Sequence, residues 1–144
     1  MGEDAVERSS EVEGVVQQMY DAMRNGDGDA AVGLIADGDG VVFVGSDPAE
    51  WWQGSRQVSE AFRAQLEASG GFDMITSGPV GCASGGVGWF ADHPTLRLPD
   101  GTEVPMRLTG VVLRDGSNWR IVQGHLSIGV SNEDALGQAL PLPT

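Results

Sequence analysis

The sequence is poor in cysteine and in basic residues, and each shortage excludes a class of protein. Cys82 is the only cysteine among 144 residues, so no internal disulfide can form and no oxidising compartment is required. Eight Lys and Arg residues stand against 21 Asp and Glu residues, which gives a formal net charge of -13. A phosphate backbone or an anionic membrane would repel such a chain at long range. We therefore expect neither nucleic acid nor membrane as a partner, and the cytoplasm as the compartment.

Long hydrophobic runs and clusters of metal ligands are missing as well. Residues 1–14 are rich in acid and contain no apolar run, so neither a signal peptide nor a membrane span is expected there. A transition-metal site normally needs three or four ligands, and the two histidines and one cysteine form no Cys/His cluster in the sequence. Counted from Asn25, the acidic segment lacks the glycine and glutamate of a calcium-binding EF-hand loop. The glycine-rich segments lack the strand-to-helix context of a dinucleotide site, so no cofactor is predicted.

The first third of the chain shows helical periodicity. Ser10 and Glu13 form a capping box in front of apolar residues at helical spacing, which predicts a first helix that ends near Gly26. Asp27 or Asp29 can cap a short second helix.

The next segment predicts a strand and a longer helix. Residues 41–44 are β-branched or aromatic and too few for a helix, so they predict a strand. Residues 47–50 read Asp-Pro-Ala-Glu, which is the composition of a helix start and predicts a helical turn bearing Trp51 and Trp52. A third main helix is predicted from Ser55 onward, because its apolar residues form one stripe, and Gly70-Gly71 is predicted to end it.

The second half of the chain changes to extended segments. Four extended runs between Phe72 and Val130 are broken by turn signals, which predicts an antiparallel meander. A last helix over residues 133–140 would be capped by Ser131 or Asn132. Helices first and strands afterwards indicate the α+β class and one domain over residues 1–144, with residues 1–9 as a disordered or frayed tail. The turn signals are Ser77-Gly78-Pro79, Ser84-Gly85-Gly86, Pro99-Asp100-Gly101 and Asp115-Gly116-Ser117.

Four segments resemble a known family. They are Trp51-Trp52-Gln53-Gly54, Gly88-Trp89-Phe90-Ala91-Asp92, Arg107-Leu108-Thr109-Gly110-Val111 and the run Trp119-Arg120-Ile121-Val122-Gln123-Gly124-His125-Leu126-Ser127. They are similar to SnoaL-like proteins of the nuclear transport factor 2-like superfamily. The resemblance implies a cone in which N-terminal helices pack on a curved antiparallel sheet that can enclose a small apolar pocket.

The resemblance leaves the activity open, because that superfamily includes cyclases, isomerases, hydrolases, dehydratases and kinase oligomerisation hubs. An ungapped comparison with ketosteroid isomerase places Met19, Phe43 and Gly110 near that enzyme's three functional positions, and none of them can do the chemistry. We expect a small-molecule pocket protein, of the isomerase, cyclase or hydrolase kind and acting on an apolar carbonyl compound. The alternative is a non-catalytic ligand-binding or oligomerisation domain.

The last two strands are predicted to share a polar layer. A hairpin turn at residues 115–117 places Arg107 opposite His125 and Thr109 opposite Gln123. If this layer faces the pocket, Arg107 would hold a carboxylate or enolate and His125 would move a proton. If it faces outward, it lies where proteins of this kind commonly pair into dimers.

Asp92 is the third catalytic candidate, beside Arg107 and His125. It follows Trp89 and Phe90, and aromatic walls could raise the pKa of its carboxyl into a useful range for acid–base chemistry. The alternative is an aspartate that caps a turn or pairs with an arginine. The candidate ligand-binding residues are Tyr20, Trp51, Trp52, Trp89 and Thr109.

The partners expected from these patterns are a small apolar ligand and a second copy of the chain. The face that bears the polar layer is predicted to carry Val111, Leu113, Trp119 and Ile121 as well. A monomer would expose this apolar surface to water, so a homodimer through the sheet is expected.

Overall fold

A computed structural model describes residues 5–142 and has four helices and nine strands in that range. The helices are α1 (Ser10–Arg24), α2 (Gly28–Val32), α3 (Ser55–Ser69) and α4 (Asn132–Leu136). The strands are β1 (Glu7–Arg8), β2 (Val42–Val44), β3 (Trp51–Gln53), β4 (Asp73–Ile75), β5 (Val80–Ser84), β6 (Val87–Asp92), β7 (Thr95–Arg97), β8 (Glu103–Asp115) and β9 (Asn118–Ile128). This α+β arrangement confirms the predicted fold class, although residues 7 and 8 pair with β5 where a frayed tail was expected.

The strands form a mixed and mostly antiparallel sheet. The main order is β1-β5-β6-β8-β9-β2-β3, and β7 joins β4 to the N-terminal half of β8. Strand β2 runs parallel to β9, so the sheet is not purely antiparallel as the sequence suggests. Strands β2 and β9 are far apart in the sequence, so no short turn forces them to run antiparallel. Helices α1 and α3 pack on this sheet, and the core lies between them.

The start of α1 is shifted by one residue from its prediction. The cap is Ser9, whose Oγ accepts a hydrogen bond from the Val12 N–H at 3.2 Å. Glu13 does not close a capping box. Its carboxylate accepts the Gly81 N–H at 3.0 Å and pairs with Arg8, and it therefore ties the helix to β5 and β1.

The segment before α3 corrects one prediction. Residues 47–50 form a turn and no helix, because the Asp47 side chain accepts the Ala49 N–H at 2.8 Å. Trp51 and Trp52 belong to β3, which pairs with β2. The unpaired edge of β2 offers this segment a strand partner, and that pairing overrides the local helix signal. Helix α3 itself follows the prediction and ends at Gly70, whose φ of 75° only glycine adopts readily.

The β8–β9 hairpin has a tighter turn than predicted and a β-bulge. Asp115 pairs with Asn118 across two turn residues, and Gly116 has a φ of 63°. Between Val111 and Val112 the register shifts, so one residue of β9 has no partner on β8. Thr109 therefore lies opposite His125. Arg107 lies opposite Ser127, two residues from the predicted partner.

The shifted turn moves two predicted surface residues into the core. Trp119 and Ile121 are 5% and 1% exposed, whereas the sequence places them on the outer face. A slip of one residue moves side chains to the opposite face of a strand, and the bulge then returns Gln123 and His125 to the outer face. Arg114 covers the Trp119 ring, with its guanidinium carbon 4.3 Å from the ring centroid.

Helix α4 is shorter than predicted. It begins after Ser131, whose side chain accepts the Asp134 N–H at 3.1 Å, and it ends at Gly137 with a φ of 75°. Within residues 5–142, no helix is long and apolar enough to cross a membrane.

Candidate functional site

An apolar cavity lies between the inner face of the sheet and helices α1 and α3. Its volume is about 540 Å³, within the roughly 300–1,000 Å³ usual for small-molecule sites. Helix α1 supplies Val16, Met19 and Met23, which recur at helical spacing on the face directed to the sheet. The opposite wall comes from β8 and β9, where Leu108 and Leu126 face the interior.

Phenylalanine and methionine dominate the walls. All four phenylalanines of the chain line the cavity, and so do four of its five methionines. Phe43 and Phe62 meet edge to face, with ring centroids 5.3 Å apart. Methionine side chains adapt their shape readily, so these walls suit a flat or irregular apolar body. The residues are Phe43, Phe62, Phe72, Phe90, Met19, Met23, Met74 and Met106.

Two glycines give the aromatic rings their room. A side chain at Gly124 would meet the Phe43 ring at 2.8 Å, and one at Gly110 would meet the Phe90 ring and the Gln123 carbonyl. These two glycines lie opposite each other on β9 and β8. Their lack of side chains leaves the space that the Phe43 and Phe90 rings occupy.

Polar groups collect at one end of the cavity. Glu50 is half-buried there, and its carboxylate accepts the Asp47 N–H at 2.8 Å and a hydrogen bond from the Gln65 amide on α3. Gly45 packs against Glu50 so closely that a side chain at this position would come within 2.9 Å of the Glu50 carboxylate. Ser46, Gln65 and Ser69 at this end are exposed, so the cavity reaches the surface between the β2–β3 loop and α3. We call this end the cavity mouth.

Asp92 lies outside the described cavity lining, in a polar network of its own. It is 7% exposed, and Tyr20 of α1 donates to its Oδ2 at 2.9 Å. Thr76 donates to the same oxygen at 2.7 Å, and Ser77 donates to Oδ1 at 2.6 Å. The backbone N–H of His93 also donates to Oδ1, at 2.9 Å. The network joins α1, β6 and the β4–β5 loop.

The hydrogen bonds keep this carboxylate charged although it is buried. Burial raises the pKa of Asp92, but the hydroxyl donors Ser77, Thr76 and Tyr20 and the His93 N–H outweigh that effect and hold the pKa below its ordinary value. Burial and the hydrogen bond to Asp92 raise the pKa of the Tyr20 phenol. The expectation that aromatic walls raise the pKa of Asp92 is therefore wrong, because the hydrogen-bond donors dominate.

The polar layer of β8 and β9 lies on the outer face of the sheet. Arg107, Thr109, Gln123 and His125 are all exposed, while Leu108 and Gly124 between them face the interior. His125 borders the cavity, but alternation along β9 directs its imidazole outward, beside Thr109. The structure therefore does not bring Asp92, Arg107 and His125 together around one cavity.

The aromatic candidates are divided in the same way. Trp52 lines the cavity from β3. Tyr20 is buried in the Asp92 network, while Trp51 is 65% exposed and Trp89 is 37% exposed on the outer face. Sequence reasoning missed Glu50, which served there only as part of a helix start. The phenylalanines were the available signal, since Phe43 lies in a predicted strand and Phe62 on the predicted apolar stripe of the third helix.

Among residues 5–142, no group of three or more His, Cys, Asp and Glu side chains could hold a metal ion.

The family follows from comparison with known sequences. The profile of the SnoaL-like domain matches residues 12–131, which run from the first turn of α1 to just beyond β9. The chain therefore belongs to the SnoaL-like domain family. Comparison with curated proteins gives no significant match.

Solved structures confirm the fold. An NTF2-like protein of unknown function from Pseudomonas putida is 19% identical, with a TM-score of 0.75 over 91% of this chain and 92% of that one. A proposed dehydratase of the NTF2-like family from Streptomyces avermitilis is 15% identical, with a TM-score of 0.73 over 84% and 95%. A proposed calcium/calmodulin-dependent protein kinase type II association domain from Thiobacillus denitrificans is 21% identical, with a TM-score of 0.71 over 82% and 94%. At these identities the likeness shows the fold alone.

Proposed function

We propose that this protein binds a mainly apolar small molecule in the cavity between α1, α3 and the sheet. The observation that carries the proposal is the cavity itself, which has about 540 Å³ of space and walls made largely of phenylalanine, methionine and leucine. Water in such a space makes few favourable contacts with the apolar walls, whereas an apolar ligand can contact the walls on all sides. The volume suits a compound of polycyclic size.

The enzymatic part of the proposal depends on an acid or base within reach of the ligand. Among the described lining residues, Glu50 and His125 are the titratable ones, and the imidazole of His125 is directed to the outer face. Glu50 is therefore the residue best placed to move a proton in an isomerisation, cyclisation or hydrolysis of an apolar carbonyl compound. The relative described as a dehydratase is compatible with proton-transfer chemistry in this fold.

Cavity binding can be tested with a dye and a blocking variant. N-phenyl-1-naphthylamine, a neutral apolar dye, should gain fluorescence on binding the wild type, and tryptophan emission from Trp52 should change with it. Ala68 lies on the mouth side of α3 and lines the cavity, so Ala68→Trp should place an indole in the entrance and weaken dye binding at least about tenfold.

The matched control is Ala64→Trp, which makes the same change one helical turn earlier on α3, at an exposed residue outside the described lining. It should bind the dye like the wild type. If the wild type does not bind the dye, or if both variants bind it equally well, the proposal is contradicted.

A second role, as an oligomerisation domain, is favoured by the outer face of the sheet. Val80, Val87, Trp89 and Leu113 are exposed there, and the pairs Val87–Leu113 and Trp89–Val111 place them next to one another. We infer that this face joins two copies of the chain as a homodimer. The relative described as a kinase association domain is compatible with such a role.

A further inference from the structure

Glu50 is the one carboxylate among the described residues that line the cavity, and the fold holds it in place. One side of its carboxylate accepts the Asp47 N–H, and the other accepts the amide of Gln65. The main chain of the loop is fixed as well, since the Gly45 N–H donates to the Glu50 carbonyl at 2.8 Å. The Glu50 side chain is bonded to the loop and to α3 and packs over Gly45, so it has little freedom to turn away from the mouth.

These contacts leave Glu50 with spare acceptor capacity. An ionised carboxylate offers about four lone-pair positions, and the two hydrogen bonds occupy two of them. Ser46 and Ser69 are the neighbouring polar residues of the mouth, and both are neutral. None of the described lining residues is Lys or Arg, so nothing in the lining would balance the charge of an anionic ligand.

We propose that the ligand of this cavity has an apolar body and, at the end that faces the mouth, a hydrogen-bond-donating group, either an ammonium or a hydroxyl, that binds Glu50. This inference rests on the proposed cavity binding and specifies the substrate class. The carboxylate accepts from a donor and attracts a cation, and it repels a carboxylate or phosphate on the ligand. Anionic compounds should therefore bind more weakly than neutral or cationic ones of the same shape.

Four naphthalenes with the same ring and different substituents test the proposal. They are 1-naphthylmethylamine, 1-naphthylmethanol, 1-methylnaphthalene and 1-naphthoate, each measured by displacement of N-phenyl-1-naphthylamine at pH 7. The wild type should bind the amine and the alcohol more tightly than the methyl compound, and 1-naphthoate should bind most weakly. Because a hydrogen bond to a charged group stabilises the complex, the dissociation constant of the amine should be at least about tenfold lower than that of 1-naphthoate.

A variant of Glu50 assigns this preference to the residue. Glu50→Gln keeps an acceptor and removes the charge, so it should reduce the preference for the amine over 1-naphthoate at least about threefold. Glu60→Gln removes the same charge from the exposed side of α3, outside the described lining, and should leave the order unchanged. The series is repeated in 0.5 M sodium chloride, because salt screens the attraction between the amine and distant acidic residues. A preference for the amine that persists in salt comes from direct contact with Glu50.

The outcomes separate the two proposals. If the dye and all four naphthalenes fail to bind, cavity binding itself is wrong. If they bind but 1-naphthoate binds as tightly as the amine, the inference about Glu50 is overturned and cavity binding stands. The order measured on the wild type needs no variant, so the test holds even if Glu50→Gln folds poorly.

Discussion

At the scale of single residues, Asp92 shows how a buried charge can serve the fold. Its carboxylate is 7% exposed and receives hydrogen bonds from Tyr20, Thr76, Ser77 and the His93 N–H. Without these donors a buried carboxylate would take up a proton. The donors come from three separate parts of the chain, so the charge holds α1, the β4–β5 loop and the end of β6 together.

We expect Asp92→Asn to lower the free energy of unfolding at pH 7 by roughly 2–4 kcal/mol, because an amide nitrogen would face groups that donate. Tyr20→Phe removes one donor and should cost about 1 kcal/mol. Urea unfolding followed by circular dichroism measures both. Asp73→Asn is the control, since Asp73 pairs with Arg24 at the surface and such pairs contribute at most about 1 kcal/mol. Equal losses for Asp92→Asn and Asp73→Asn would contradict the assignment.

Unfolding measurements at low pH test whether the charge on Asp92 stabilises the fold. The fold lowers the pKa of Asp92, so its contribution is complete above the carboxyl pKa of an unfolded chain, about 3.9. The contribution is lost as the pH falls from there through the lowered pKa. The stability difference between wild type and Asp92→Asn should therefore shrink between pH 5 and the acid transition. A difference that stays constant over this range would show that the charge is not what stabilises the fold.

At the scale of the elements, the β8–β9 hairpin decides which side chains reach the cavity. The two-residue turn and the bulge together place Ile121, Gly124 and Leu126 on the inner face. Without the bulge, alternation from Trp119 would carry Gln123 inward and Gly124 outward. The hairpin therefore brings a glycine opposite the Phe43 ring, and this leaves the space that the cavity occupies.

Gly110→Ala tests this packing. A methyl group at Gly110 would lie against the Phe90 ring and 2.8 Å from the carbonyl oxygen of Gln123, and main-chain atoms cannot move away cheaply. We expect a loss of about 1–3 kcal/mol in urea unfolding. Gly86→Ala, in the β5–β6 turn with open space around it, should change stability by less than about 1 kcal/mol. A fully stable Gly110→Ala variant would mean that the two strands and Phe90 pack less closely than described.

At the scale of the whole molecule, the two faces of the sheet differ in what they expose. The inner face covers the cavity, while the outer face exposes Val80, Val87, Trp89 and Leu113 beside the polar layer. Arg107 lies in that layer, and within residues 5–142 it has no acidic side chain at ion-pair distance. On a chain with a net charge of -13, a free guanidinium favours contact with an acidic group of a second copy.

We expect the wild type to sediment as a dimer at micromolar concentration and Trp89→Glu to sediment as a monomer with an unchanged circular dichroism spectrum. A stable dimer buries roughly 1,200–2,000 Å², and a carboxylate in the middle of the outer face would have to lose its water there. Trp119 cannot serve this test, because it lies in the core. Leu136→Glu, on the exposed surface of α4, is the control and should remain dimeric. A monomeric wild type would refute the dimer.

The local pattern of residues was enough to predict the main elements. Apolar stripes at helical spacing predicted α1 and α3, and the glycine-containing turns lie between the strands where the sequence places them. The alternation of Leu108 and Gly110 on β8 predicted the apolar face of the strand, which lines or borders the cavity. Each of these features depends on neighbours within a few residues, which is why the sequence determined them.

Only the tertiary structure decided the site. Residues 47–50 have a helix-start composition, yet they form the turn that holds Glu50 at the mouth, because Trp51 and Trp52 pair with β2. Asp92 is held by Tyr20, which lies 72 residues earlier in the chain, and no local pattern reveals that contact. The register of β8 and β9 was also undetermined, because a strand alternates with a period of two. The length of the turn decides which face Trp119 occupies, and a single bulged residue decides which face His125 occupies.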